Sequence, residues 1–155
     1  PVSREGLRKS AQPLTFTLCF VNMALVEFEI HGQWPSVDGK VLDALLCQEY
    51  YYGGVLAEPA NVVYFKIGSV WHRLALDCGA IFWRTAEAEP EAFVAQEIKA
   101  EYKIIDLGRK CGVVGSEIKA IEPMSVRRGV GVSVSFSDGR KIIFINQDDV
   151  TTYET

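Results

Sequence analysis

The chain has 155 residues, of which 48% are hydrophobic and 23% charged. That balance fits about one globular domain and excludes a disordered chain. The formal net charge of −4 lacks a basic footprint, so nucleic acid is not expected as a partner.

The N-terminal stretch imitates a secretory signal, with Arg4, Arg8 and Lys9 ahead of the apolar run Leu14 to Val21. Asn22 interrupts the run, no small-x-small cleavage site follows, and the run is too short to span a bilayer. Residues 1–23 are therefore read as an N-terminal extension, with Met23 as a candidate natural start and residues 24–155 as one domain. Neither a membrane partner nor export is expected, which makes the expected location cytoplasmic.

From residue 24 the pattern turns to period two. Val26, Phe28 and Ile30 alternate with Glu27, Glu29 and His31, as in a half-exposed strand. Gly32 to Gly39 is rich in turn residues. Val41 to Tyr52 is ambiguous: Val41, Leu42, Leu45 and Leu46 fit a helical stripe, while Gln48 to Tyr52 suits a strand. Gly53-Gly54 closes that segment. Val62 to Asp77 then reads as a hairpin turning at Ile67-Gly68-Ser69.

Residues 85–101 change character. Acids open the segment where the helix dipole favours them, and Phe93, Val94, Ile98 and Tyr102 recur at helical spacing. An acidic amphipathic helix is expected here. Residues 86–101 hold five glutamates and one lysine, a net of −4, so the acidity of the whole chain belongs to this segment.

Beyond residue 101 the first half replays. At an offset of 76, Gly32 meets Gly108, Val37 meets Val113, Gly39 meets Gly115, and Leu42 and Leu45 meet Ile118 and Ile121. After Gly53 the offset falls to 71. There Val63 meets Val134, Phe65 meets Phe136, Gly68 meets Gly139, and Leu74 meets Ile145. Pro123 in the second copy forbids an extended helix, which argues that Val41 to Leu46 is a strand too. The expected fold is mainly β (α+β). Two tandem, diverged antiparallel β-meander repeats of about four strands each, 24–84 and 102–155, pack as a sandwich or partly closed barrel and are joined by the acidic helix at 85–101. Val132, Val134 and Phe136 should face the core, with Ser133, Ser135 and Ser137 on a wet face.

The four cysteines (Cys19, Cys47, Cys78, Cys111) form no CxxC pair, and His31 and His72 are the only histidines. No metal site and no cofactor are expected, and the cysteines read as buried reduced thiols rather than two disulfides. His72, Asp77 and Cys78 cluster in sequence, yet His72 and Cys78 would lie about 20 Å apart on an extended strand. His72 and Asp77 are thus weak catalytic candidates, and the chain is not expected to be an enzyme. Asp148-Asp149 with Glu154 lacks any calcium-loop register and reads as a solvated acidic turn.

Two features point to binding. Tyr50, Tyr51 and Tyr52 put aromatic area near a Gly-Gly turn that the second copy lacks. Glu87, Glu91, Glu97 and Glu101 would give an electrostatic docking face for a basic partner. The expected function is a non-enzymatic protein-binding module. In size, mild acidity and lack of a catalytic constellation it is similar in type to bacterial immunity proteins that neutralise toxins, although no motif carries that likeness. The alternatives are a small-ligand-binding β domain, with Trp34, Trp71 and Trp83 lining a pocket between the repeats, and an enzyme of unfamiliar type.

Overall fold

The structure, a computed structural model, describes residues 28–155. The expected N-terminal extension at 1–23, and Cys19 within it, lie outside the described residues. The chain runs through β1 (Glu29–Gly32), β2 (Leu42–Tyr52), β3 (Val55–Ile67), β4 (Val70–Asp77), β5 (Ala80–Ala86) and β6 (Phe93–Ala95). A single 3-10 turn (Gln96–Ile98) leads into β7 (Ala100–Asp106) and the one-turn helix α1 (Leu107–Lys110). Strands β8 (Ile118–Val126), β9 (Gly129–Phe136), β10 (Lys141–Gln147) and β11 (Val150–Glu154) complete it. No helix of the described residues is long and apolar enough to cross a membrane.

The strands form two sheets. A seven-stranded sheet has the order β1-β5-β4-β3-β2-β7-β6, and a four-stranded sheet the order β11-β10-β9-β8. All pairings are antiparallel except β1 with β5. Each sheet thus contains a four-strand meander, β2–β5 in one and β8–β11 in the other.

The sheets bury their inner faces against each other. Leu45, Phe65, Leu74, Ile81 and Trp83 come from the larger sheet, and Ile118, Val132, Val134, Ile142 and Phe144 from the smaller; all belong to one buried cluster. Phe65 and Phe144 meet edge to face at 6.1 Å, the geometry that the ring quadrupoles favour. Burying one such ring is worth about 1.5–3 kcal/mol. The apolar run Ile142 to Ile145 lies in β10, which has neighbours on both sides, as its two-faced apolarity requires.

The ambiguous segment is a strand from Leu42 onward, and the helical look of its pattern has a local cause. The β2–β3 register slips between Leu42 and Ala44. An irregularity of this kind inserts a residue and lets Leu42 and Leu45, three apart, both reach the core. The same slip lies between Ile118 and Ala120 in β8, where Ile118 and Ile121 are both buried.

The two sheets join at a corner built from pairs of matching hydrogen bonds. Gly39 N donates to Ile118 O and Gly115 N to Leu42 O, both at 2.8 Å. Leu42 N donates to Ser116 O and Ile118 N to Lys40 O, at 3.0 and 2.8 Å. Val41 and Glu117 bridge each other at the centre. Every residue in one bond of a pair lies 76 positions from its counterpart in the other (Gly39 and Gly115, Leu42 and Ile118), so the corner has a local two-fold arrangement. A second junction lies at the far side, where Thr151 N of β11 donates to a Glu58 carboxylate oxygen of β3 at 3.0 Å.

Three expectations are corrected. Residues 85–101 hold no α-helix: β5 ends at Ala86, an exposed loop spans 87–92, and Phe93 to Ala95 pair with β7. Pro90 interrupts the segment, and its apolar side chains have no core to face: Phe93, Val94 and Ile98 are 52, 60 and 59% exposed. A short helix with no buried face does not repay its nucleation cost. Secondly, Gly68 and Gly139 occupy different turn positions. Gly68 (φ 62) is the first of two turn residues, whereas Gly139 (φ 91) ends the three-residue turn Ser137-Asp138-Gly139, with Gly139 N donating to Phe136 O. Register also sets Val63 and Phe65 against Val132 and Val134 rather than Val134 and Phe136, since Leu45 pairs with Phe65 and Ile121 with Val134; with the extra turn residue, buried Leu74 then corresponds to buried Phe144 rather than to half-buried Ile145. Finally, Ser133 is only 5% exposed, so the serine face of β9 is not uniformly wet.

Candidate functional site

His72 and Asp77 are not brought together. They sit five residues apart on β4, about 16 Å along an extended strand, and on opposite faces. His72 faces inward, where its Nδ1 accepts a hydrogen bond from Trp83 Nε1 at 3.3 Å. Burial, with Lys40 adding to it, holds the imidazole below its ordinary pKa. Its role is that of a neutral, half-buried acceptor at the margin of the core.

Asp77 ends β4 beside Cys78, at the hairpin turn that abuts the turn Asp148-Asp149. Cys78 Sγ donates to Asp149 Oδ1 at 3.3 Å. Hydrogen bonds to Asp77 and Asp149 push the thiol up to about 11, so it stays protonated and is a poor nucleophile. Asp77, Cys78 and Asp149 bring donor atoms within 4.8 Å of one another, all of them exposed. Such a group is what two neighbouring turns of polar residues leave at a surface. Cys47, Cys78 and Cys111 are free thiols, but only Cys47, pushed up to about 12, is buried as expected; Cys78 is exposed at its turn and Cys111 half-buried.

The three tryptophans do not share a pocket. Trp83 is 1% exposed in the core, with Trp34 against it at 5.5 Å. Trp71 lies on the opposite face of the sheet, under Lys66, whose Nζ sits 5.5 Å from the ring centre.

The tyrosines and part of the glutamate set do converge. Strand register places Tyr50 opposite Tyr102, Tyr51 opposite Glu101 and Tyr52 opposite Ala100, while Val94 lies opposite Glu101 from the other side. Tyr50 and Tyr102 stack at 5.2 Å, and Phe93 stacks on Tyr102 at 4.3 Å. Tyr51 donates to Glu49 at 2.9 Å, which raises its own pKa, and Lys103 Nζ lies 4.3 Å over its ring. At this end of the sheet Tyr52, Val55, Val94 and Ile98 are 58, 70, 60 and 59% exposed. Gly53 N bonds to Lys99 O at 2.9 Å and ties the β2–β3 tip to the 3-10 turn. Glu97 lies within that turn, whereas Glu87 and Glu91 occupy the exposed loop before β6. Val55 and Leu56 escaped the sequence reading, because a β-hairpin tip gives no periodic signal of what lies beside it.

A second feature lies on the outer face of the same sheet: an open depression of about 670 Å³. Tyr64, Arg73 and Arg84 stand in one row across β3, β4 and β5. Val62 and Ala75 lie one step along on the same face and leave a low floor. Phe82 pairs with Ala75 and stacks on His31 of β1 at 4.8 Å and 11°. Among the described residues neither guanidinium takes part in an ion pair or hydrogen bond. Glu58, Asp77 and Asp149 also line the depression, away from the arginine pair.

No family model, curated protein or solved structure matches this chain.

Proposed function

We propose that the protein is a protein-binding module whose docking surface is the end of the seven-stranded sheet. The observation that carries this reading is the exposed apolar group Tyr52, Val55, Leu56, Val94 and Ile98, gathered at one end of the sheet by three strands and a 3-10 turn, with Tyr52 and Val55 on one face and Leu56 and Val94 on the other. Isolated exposed apolar residues are ordinary, but five of them at one sheet end, beside charged residues, mark an end that a partner could clasp from both faces. The rim here is acidic, with Glu91, Glu97 and Glu101 against Lys99 and Lys103. A partner with an apolar centre and a basic rim is complementary to it. A toxin neutralised by such capture is one partner of that kind.

The two meanders are read, within the same proposal, as diverged copies of one unit. The paired corner bonds at a constant offset and the matching register slips support that reading. The docking end belongs to one copy only, since the Gly53-Gly54 tip is an insertion in the alignment.

The test is affinity capture from the native source with the intact chain and two variants. Val94→Asp with Ile98→Asp removes the apolar centre, and E91K/E97K/E101K reverses the rim. Val94, Ile98, Glu91 and Glu97 are exposed, and Glu101, inside β7, keeps its side chain 41% exposed, so melting temperatures stay close to that of the parent. Loss of the captured partner in both variants is expected; retention in both sinks the proposal.

A further inference from the structure

We infer that the depression on the outer face of the seven-stranded sheet is a binding site for a small aryl anion, a planar ring bearing a carboxylate or phosphate. The inference is independent of the docking surface proposed above. It starts from Arg73 and Arg84, which are direct cross-strand partners. Like charges in that position repel, and among the described residues no carboxylate lies within ion-pair distance of either, although Glu58, Asp77 and Asp149 line the same depression farther off. Two guanidiniums on neighbouring strands and lining one depression can both reach a single anionic group, and the planar fork of each suits the paired oxygens of a carboxylate or phosphate.

The surroundings specify the rest of the ligand. Phe82 lies two residues from Arg84 on the same face, about 7 Å along the strand, so a ring attached to the anionic group reaches it. His31 stacks flat on Phe82 and holds the plate in place. Val62 and Ala75 keep the floor low, and the volume of about 670 Å³ falls in the range of small-molecule sites. An extended polyanion such as single-stranded nucleic acid is disfavoured. It would run from the arginines into Asp77 and Asp149 in the same depression. One anionic head with an uncharged ring avoids that clash.

The full chain is titrated at low ionic strength with phenyl phosphate, phenylpyruvate, inorganic phosphate and benzyl alcohol, by calorimetry and saturation-transfer NMR. At least one of the two aryl anions is expected to bind with a Kd below 1 mM, with transfer onto its ring protons. Preference between them identifies the head group. R73Q and R84Q each weaken that binding at least tenfold, and Phe82→Ala reduces transfer to the ring. If a glutamine variant misfolds, R73K and R84K retain the surface charge and still bind more weakly, because the planar fork is lost. The inference is overturned if neither aryl anion binds, if inorganic phosphate or benzyl alcohol binds as tightly, or if the arginine variants match the parent.

Discussion

His72 is where a single side chain ties acidity to stability. Its imidazole is held neutral by burial and accepts from Trp83 Nε1, so the folded state resists protonation. A histidine whose folded pKa is depressed contributes fully above its unfolded value, near 6.5, and loses that contribution as pH falls through the folded value. The melting temperature should therefore decline from pH 7 toward pH 5, and less steeply in His72→Gln, where an amide oxygen can still accept from Trp83. Parallel slopes in the two proteins would count against this role. Phe65, fully buried between Trp83 and Phe144, is the larger stake: Phe65→Ala should cost about 3–5 kcal/mol in urea unfolding. A loss below about 1 kcal/mol would mean that the core relaxes around the gap. The inward face of Phe65 was legible from strand alternation. The part played by His72 was not, because alternation assigns a face but not the side chain waiting there from another strand.

Among the elements, the acidic segment teaches most. Phe93, Val94, Ile98 and Tyr102 lie at spacings that a helix would use, yet Phe93 meets Tyr102 across two strands. On a helix these two rings, nine residues apart, would lie about 13 Å apart along the axis and on opposite sides; only the strand pairing brings them together. Val41 to Leu46 shows the converse, where a register slip inside a strand imitates helical spacing and the match to Pro123 identified the strand. Strand β6 has three residues, lies at a sheet edge and is exposed over two of them. Its amides and those of the 3-10 turn should exchange with solvent orders of magnitude faster than those of β9, which is buried and paired on both sides. Equal protection in native-state hydrogen exchange would show that this end is stiffer than its packing suggests. Tyr50 to Tyr52 and Glu101 were legible as surface features because a run of three tyrosines cannot all face one core. The Arg73–Arg84 pair was invisible, since it exists only through the β4–β5 register.

For the whole molecule, the mainly β architecture followed from alternation, and the Gly39–Gly115 match falls at the corner between the sheets, while the pairing of β7 with the first half was not foreseen. Strand β7 follows the 87–92 loop in sequence, yet it pairs along its whole length with β2 of the first half. Together with the corner at Val41 and Glu117 and the Phe65–Phe144 contact, this makes each half part of the other's framework. The covalent link through residues 87–92 adds little beyond proximity. A protease site placed there and cut should leave one non-covalent, folded species on size exclusion. Either fragment expressed alone, of about 90 or about 65 residues, should stay unfolded, since a single sheet without its partner buries too little. Separation into two folded pieces would refute this. If the nicked protein holds together, the chain offers a ready-made fragment-complementation pair, two inert pieces whose reunion rebuilds the core and reports that whatever they are fused to has met.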